Sequence, residues 1–322
     1  MAYLVLCVIC TTSFGLCYKV VGHRGYHAPM VQLAMFTACS AVAAACGMRA
    51  GGLVFHHWVA LAGLCGGICM SLAVYTFFVA MRQGGLAVGW ACVNFGVVVP
   101  VLASMIVWHE IPSSRQLAGL ALLLPCILLF SDLHLQVTGD RRRWAILVAI
   151  ATILSGGSSV MVKVASELPN HLPTARAAGA SIRLSYLAFA YATAAIVLLL
   201  NTERKRIAVR SFETAFGIAM GMVNLAATWC LIQSLDSLPG IVVFPVKSAG
   251  GLVLTAIGAV VVWRERLTKR QVCGIALAAV SAVLINWPQS EPESDQESVL
   301  IQQGKQAPLE AQEAPAVGRG EG

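Results

Sequence analysis

The chain has 322 residues, of which 58% are apolar and 11% are charged, and its formal net charge is +7. Ordinary soluble domains carry about 25% charged residues, so this composition excludes that class. The apolar residues form runs of about twenty, the length of helix that crosses a bilayer core of roughly 30 Å. Because backbone groups in lipid must be paired internally, these runs are predicted to be helices of an integral membrane protein.

The apolar runs predict ten transmembrane helices joined by short connections, which makes neighbouring helices antiparallel. The predicted spans are residues 2–21, 29–47, 57–80, 86–107, 116–133, 144–165, 180–200, 212–234, 239–262 and 271–287. The first run starts near Met1 with no basic stretch before it, so we interpret it as a retained helix and not as a signal peptide.

The composition changes after the last span. Residues 288–322 hold seven acidic and two basic side chains with many Pro, Gln, Ser and Gly residues. Such a segment cannot bury enough apolar surface to fold, so it is predicted to be a disordered acidic tail.

One stretch of the sequence occurs twice, at residues 108–122 and 263–277. Seven positions match at a constant spacing: Trp108/Trp263, Glu110/Glu265, Arg115/Arg270, Gln116/Gln271, Gly119/Gly274, Ala121/Ala276 and Leu122/Leu277. In each copy an apolar run ends at the Trp, a polar turn contains the Glu, and a second apolar run follows the Gln. A duplicated hairpin of this kind predicts two homologous halves.

The halves are also alike where they begin. Span 1 contains Ser13 and ends near Lys19, and span 6 contains the small residues 155–159 and ends near Lys163. Five spans per half is an odd number, so the second half must enter the membrane from the opposite side. The fold predicted is therefore all-α, with ten transmembrane helices in two inverted five-helix repeats, residues 1–138 and 139–287.

This combination of five-span repeats, small-residue and Lys opening helices, and paired Trp-x-Glu hairpins resembles the EamA-like branch of the drug/metabolite transporter superfamily. The resemblance covers about residues 1–287 and implies a secondary transporter of small solutes. It leaves the substrate open, because that family spans amino acids, sugars, nucleotide sugars and drugs. One connection departs from the family pattern: the connection after span 2 is almost uncharged here, whereas family members commonly have several basic residues there.

The two indications of orientation conflict. The connections after the odd-numbered spans hold thirteen Lys and Arg residues, against three on the other face. The positive-inside rule therefore places both termini outside the cytoplasm, whereas the family resemblance implies that both are cytoplasmic.

Lys247 is the leading candidate for a substrate-binding residue. It lies about nine residues into span 9, between Pro245 and the glycine pair Gly250 and Gly251. A proline frees a backbone carbonyl, and an ionisable group at membrane depth marks a functional site by default. We therefore expect a broken helix with a cation at mid-depth; the alternative is a lysine that snorkels to the membrane surface.

Weaker candidates come from polar and aromatic residues in other spans. Asn94 and Trp90 in span 4 share a helix face and could bind substrate, or could bind a neighbouring helix and lipid instead. The other candidates are Asn224, Trp229, Tyr75, Lys19, Lys163 and Arg183, with interfacial anchoring as the alternative for the three cations. Glu110 and Glu265 are predicted to cap helices or to pair with Arg115 or Arg270. Gly63-x-x-x-Gly67 and Gly217-x-x-x-Gly221 are predicted to let helices pack closely.

The functional hypothesis is transport of a small-molecule substrate across a lipid bilayer, in the cell membrane, by alternating access. No acidic residue lies at the depth of Lys247, so the substrate is expected to be neutral or anionic. We expect no enzymatic activity, no cofactor, no metal and no nucleic-acid partner, and a monomer or homodimer. The alternatives are an integral membrane enzyme and a membrane receptor or scaffold that transports nothing.

Overall fold

The computed structural model describes residues 1–84, 95–130, 140–172, 179–202, 211–264 and 268–286, and these form helices and no strands. The helices in chain order are α1 (Ala2–His23), α2 (Ala28–Arg49), α3 (His57–Gly84), a 3-10 turn (Phe95–Val97), α4 (Val98–Val107), α5 (Ser114–Phe130), α6 (Arg141–His171), α7 (Gly179–Thr202), α8 (Ser211–Leu235), α9 (Gly240–Trp263) and α10 (Lys269–Asn286). Residues Met1–Asn286 form one compact unit. The predicted acidic tail lies outside the described residues.

Most helix ends fall within a few residues of the predicted spans, but α6 is longer than expected. It continues to His171 and includes Pro169, where a connection had been predicted from Glu167 onward. The prediction was wrong because proline has a helical φ angle and removes only one backbone hydrogen bond, which a long helix tolerates near its end. The start of the predicted fourth span lies outside the described residues.

Among the residues that the structure describes, seven helices are long and apolar enough to cross a membrane. Their outward faces expose large apolar side chains, including Ile153 at 61%, Leu200 at 67% and Val261 at 72%. Apolar exposure of this extent is unfavourable in water and suits contact with lipid. The chain is therefore a multi-pass membrane protein with an all-α fold.

Helices from the two ends of the sequence are interleaved. Helix α3 packs against α6 and α7, and α8 packs against α1 and α2. Helix α9 contacts α1, α4 and α10. Two further pairs, α2 with α7 and α5 with α10, also pack along their length. The core is consequently built mostly between the two predicted halves, and within the second half α9 also packs against α10.

The two predicted glycine motifs are at the closest of these contacts, which confirms their packing role. A Cβ on Gly63 would lie 3.3 Å from the Tyr186 carbonyl oxygen, and a Cβ on Gly67 would overlap the Ala190 carbonyl. On the other side of the protein, a Cβ on Gly217 would lie 2.5 Å from the Val31 carbonyl oxygen. Only glycine permits this approach of one helix to the backbone of another.

Helices α5 and α10 exchange a reciprocal pair of hydrogen bonds. The Ser281 hydroxyl donates to the Gly119 carbonyl oxygen at 2.7 Å, and the Cys126 thiol donates to the Gly274 carbonyl oxygen at 3.2 Å. Gly119 and Gly274 are matched positions of the duplicated hairpin. A small residue at each position brings the opposing helix close enough for these bonds.

Candidate functional site

A cavity of about 280 Å³ lies between the helices. Helices α1, α3, α6, α8 and α9 contribute most of its wall, and α2 and α4 complete it. Because α1 to α4 precede α6 to α9 in the sequence, both predicted halves contribute to one site. We name this cavity the large chamber.

A second cavity of about 210 Å³, the small chamber, adjoins it on the side of α7. Eight described residues line both chambers: Met70, Ser155, Ser158, Ser159, Asn224, Thr228, Leu231 and Lys247. Six of these eight are polar or charged, so the boundary between the chambers is a polar wall inside an otherwise apolar bundle. We refer to this group as the shared wall.

Lys247 is the charged member of the shared wall. It lies two helical turns from the start of α9 and is partly buried. In the described part of the chain, no hydrogen bond or ion pair involves its ammonium group. A cation in a cleft with low-dielectric walls attracts negative charge more strongly than one at an exposed surface.

Helix α9 itself differs from the expectation. It runs without a break from Gly240 to Trp263 with Pro245 inside it, so the predicted break at mid-depth is wrong. Pro245 lies in the second turn, where it removes the hydrogen bond to the Ile241 carbonyl and leaves the rest of the helix intact. Lys247 is thus held on a continuous helix.

Asn224 also lines both chambers, and a hydrogen-bonded chain fixes its side chain. Its amide donates to the Tyr191 hydroxyl at 2.9 Å, and Tyr191 and Thr228 hydroxyls lie 2.9 Å apart. The Thr228 hydroxyl donates to the backbone carbonyl oxygen of Asn224 at 2.9 Å. The Tyr191 hydroxyl must therefore donate to the Thr228 hydroxyl. In this polar face both hydroxyl hydrogens and one amide hydrogen of Asn224 are already committed.

Several other predicted site residues are not among those that line the chambers. Lys19 is half-buried next to Tyr18, which does line the large chamber. Tyr75 is 47% exposed on the outer face of α3, and Trp229 packs against the main hydrophobic core. Trp90 and Asn94 lie outside the described residues, although Gly96 and Pro100 of the same predicted span line the large chamber.

Lys163 lies in a buried ion pair with Glu110, one helical turn beyond Ser159 of the shared wall. Its side chain is 3% exposed, and its ammonium nitrogen is 5.2 Å from the centre of the Trp108 ring. A cation over an aromatic face and beside a carboxylate is well stabilised. Glu110 pairs here with Lys163, and not with Arg115 as one of the predictions had it.

Glu110 also caps the start of α9, which confirms the predicted capping role. Its two carboxylate oxygens accept the backbone N–H groups of Gly240 at 3.0 Å and Ile241 at 2.9 Å. A carboxylate at a helix start satisfies unpaired donors and interacts favourably with the helix dipole. One carboxylate therefore joins the end of α4, the buried part of α6 and the beginning of α9. Glu265, the matching residue of the second hairpin, lies outside the described residues.

Arg183 lies away from the chambers, at the membrane face where α7 begins. Its guanidinium donates to the Gln233 amide oxygen and to the Asp236 carboxylate, each at 2.8 Å. Burial raises the pKa of the Asp236 carboxyl above its usual value, against the opposing attraction of Arg183. This pair ties the start of α7 to the connection between α8 and α9.

The hydroxyl residues of α6 were not among the predicted site residues. Ser155, Ser158 and Ser159 line both chambers. The signal was present as the Ser-Gly-Gly-Ser-Ser run, which was read only as a small-residue feature of the opening helix. Three serines within five residues of an apolar helix are unusual enough to indicate a polar cavity.

No protein-family model matches the chain, and no curated protein matches it. A protein of known crystal structure aligns with a TM-score of 0.69 over 89% of this chain and 99% of its own length. The two sequences are 16% identical in this alignment, so the likeness concerns the fold alone.

Proposed function

We propose that this protein is a secondary transporter that moves a small neutral or anionic organic solute across a membrane by alternating access. The observation that carries the proposal is the pair of chambers between the helices, with Lys247 in their shared wall. A cavity at the interface of two helix repeats is where such transporters bind their substrates. In this proposal ten transmembrane helices form two inverted repeats of five, in the cell membrane.

The pattern of helix packing supports the inverted repeat. In an inverted repeat, each of the helices α1 to α5 corresponds to the helix five places later in the chain. Replacing every helix by its counterpart turns the α3–α6 contact into the α8–α1 contact, and the α3–α7 contact into the α8–α2 contact. The contact of α9 with α1 becomes that of α4 with α6, and the pairs α2–α7, α4–α9 and α5–α10 map onto themselves. All of these contacts between the halves exist, and a two-fold axis between the repeats would relate them in this way.

The individual contacts repeat as well. Ser281 and Cys126, which bind Gly119 and Gly274, are separated by the same 155 residues as the two glycines. Gly63 in the motif of α3 lies against the Tyr186 carbonyl of α7, and Gly217 in the motif of α8 lies against the Val31 carbonyl of α2. Tyr186 and Val31 are again 155 residues apart. Correspondence at the level of single atoms favours a common ancestry of the two halves.

The contacts of Glu110 support alternating access. With Lys163 and Gly240, it joins three helices one turn beyond the shared wall, at the membrane face where α9 begins. On the opposite side, the large chamber extends to Tyr18, Phe77 and Thr255, towards the face where α1, α3 and α9 end. A contact that closes one side of a cavity is what one state of an alternating-access cycle needs.

Transport is tested with purified full-length protein in proteoliposomes and a panel of labelled neutral and anionic metabolites. The blocked variant is Gly251→Leu, because Gly251 lines the large chamber and an added Cβ meets no atom within 4 Å. The matched control is Val261→Leu, on the exposed face of the same helix. We expect uptake by the wild type and the control and none by Gly251→Leu. If no solute of the panel enters, or if Gly251→Leu transports as the wild type does, the proposal is wrong.

The inverted repeat has its own test. Short epitope tags inserted at His109 and at Arg264 of the full-length protein are expected to be accessible from opposite faces of the membrane. Accessibility from the same face contradicts the repeat. The side on which the Arg264 tag lies also decides between the orientation from the charge count, which makes it cytoplasmic, and that from the family resemblance.

A further inference from the structure

The two chambers differ in the chemistry of their walls. The large chamber alone is lined by Phe14, Tyr18, Phe36, Phe77 and Phe244, whereas the shared wall holds the lysine and three serines. A ligand that fills the large chamber and touches the shared wall meets an aromatic, apolar surface at one end. At the other end it meets a polar surface with a positive charge.

The charge of this site has one sign. Among the described residues that line the chambers there is no Asp, Glu or Arg, and Lys247 is the charged group. Lys247 has no carboxylate partner in that part of the chain, whereas Lys163, which lines neither chamber, is neutralised by Glu110. The site therefore has an excess positive charge that an anion would compensate.

The serines of α6 supply further hydrogen-bond donors. The Ser159 hydroxyl donates to the Ser155 carbonyl oxygen at 3.2 Å. No hydrogen bond involves the hydroxyl of Ser155 or of Ser158 in the described part of the chain. A carboxylate accepts hydrogen bonds and donates none, so it matches an ammonium group flanked by uncommitted hydroxyl donors.

Resting on the proposed transport function, we propose that the substrate is an organic anion with a single acidic group and an apolar, ring-sized body. The acidic group binds Lys247 and Ser158 in the shared wall. The apolar body occupies the large chamber among Phe36, Phe77 and Phe244. Highly polar anions such as sugar phosphates are disfavoured, because their hydroxyls would lose water without gaining partners against the aromatic wall.

The probes for this inference share one body and differ in one group: phenylacetate, phenylethanol and phenylethylamine, with acetate as the anion that lacks a ring. Binding is measured by calorimetry and thermal stabilisation of the purified full-length protein. We expect phenylacetate to bind about tenfold more tightly than each of the others, which corresponds to about 1.4 kcal/mol. Equal or tighter binding of the alcohol, the amine or acetate overturns the inference, as does the absence of phenylacetate binding up to about 10 mM.

The residues are tested by substitution. Lys247→Met is expected to abolish the preference for phenylacetate over phenylethanol, and Lys247→Arg is expected to retain it. Lys269→Met, an exposed cation outside the chambers, is the control and should leave the preference unchanged. If Lys247→Met does not fold, Ser158→Ala gives the second measurement: affinity for phenylacetate falls several-fold and affinity for phenylethanol does not. Retention of the full preference by Lys247→Met, or by Ser158→Ala, overturns the inference.

A transport measurement separates this inference from the proposed function. Phenylmethanesulfonate stays ionised and cannot cross lipid as a neutral acid, so its uptake into proteoliposomes requires the protein. Tight binding of the anions without uptake contradicts transport and leaves the assigned site standing. Uptake of neutral solutes with no anion preference overturns the inference and leaves transport standing.

Discussion

His109 and Arg264 adopt the same left-handed backbone conformation, with φ angles of 52° and 54°. Within the described residues they are the two non-glycine positions with positive φ, and each follows the Trp of a duplicated hairpin. The left-handed conformation lies just beyond the ends of α4 and α9. In the first hairpin this turn delivers Glu110 to the start of α9.

The strained backbone at His109 predicts that glycine is stabilising there. Relief of the Cβ clash is worth about 1–2 kcal/mol, and the greater freedom of glycine in the unfolded chain costs about 0.4–1 kcal/mol. His109→Gly is therefore expected to raise the melting temperature in detergent slightly. Val272→Gly, on the exposed face of α10, should lower it by the equivalent of about 0.3–0.5 kcal/mol. A lower melting temperature for His109→Gly would contradict the argument.

The Glu110–Lys163 pair predicts that substitution of Glu110 lowers the stability of the protein much more than substitution of an exposed carboxylate does. Glu110→Gln leaves a buried ammonium without a counter-charge, so the expected loss of stability is about 3–5 kcal/mol. The control, Glu167→Gln, changes a carboxylate that accepts an exposed hydrogen bond from Asn170 and should cost less than about 1 kcal/mol.

A double substitution distinguishes the ion pair from the helix cap. Adding Lys163→Met to Glu110→Gln removes the unpaired charge and should recover part of the lost melting temperature. If the losses of stability in Glu110→Gln and in Lys163→Met add up to the loss in the double variant, the two side chains are not coupled. The ion pair then contributes no interaction energy to stability.

The glycine contact between α3 and α7 predicts different outcomes for two Gly→Ala substitutions. Gly67→Ala forces a methyl group against the Ala190 carbonyl and should destabilise the protein by about 1–3 kcal/mol. At Gly157 the nearest atom to an added Cβ is the Cys69 sulfur at 3.6 Å, an ordinary contact. Gly157→Ala should therefore be neutral or stabilising by up to about 1 kcal/mol, through helix propensity. Equal melting temperatures for the two variants would contradict the close contact.

The buried side-chain amide of Gln32 leads us to expect that an apolar residue at this position stabilises the protein. It is 1% exposed, and among the described residues neither its amide nitrogen nor its amide oxygen has a hydrogen-bond partner. A buried unsatisfied polar group costs about 1–3 kcal/mol, so the near-isosteric Gln32→Met should raise the melting temperature.

Gln116 is the matched control for this prediction. It is 5% exposed, and its amide oxygen accepts the Ser113 backbone N–H at 3.0 Å. Gln116→Met is therefore expected to lower the melting temperature by the equivalent of about 1–3 kcal/mol. A loss of stability in Gln32→Met would show that the Gln32 amide has a partner after all.

The sequence alone determined the helices and the membrane class, because lipid allows few choices. An apolar run of about twenty residues in a bilayer must pair its backbone groups internally, and only a helix does so within one segment. The duplicated hairpin could also be recognised directly, because a repeat is visible in the amino-acid sequence itself. Local rules failed at Pro169 and Pro245, where α6 and α9 continue across a proline that removes only one backbone hydrogen bond.

Tertiary structure alone decided which polar residues share a site. Lys163 and Lys247 look alike in the sequence, as single lysines in apolar helices. Glu110, 53 residues before Lys163, neutralises one of them, while Lys247 lines the chambers beside serines from another helix. A spacing along one helix fixes which of its residues share a face, but not which helix that face meets. The partner of each charge is therefore set by how the two halves pack.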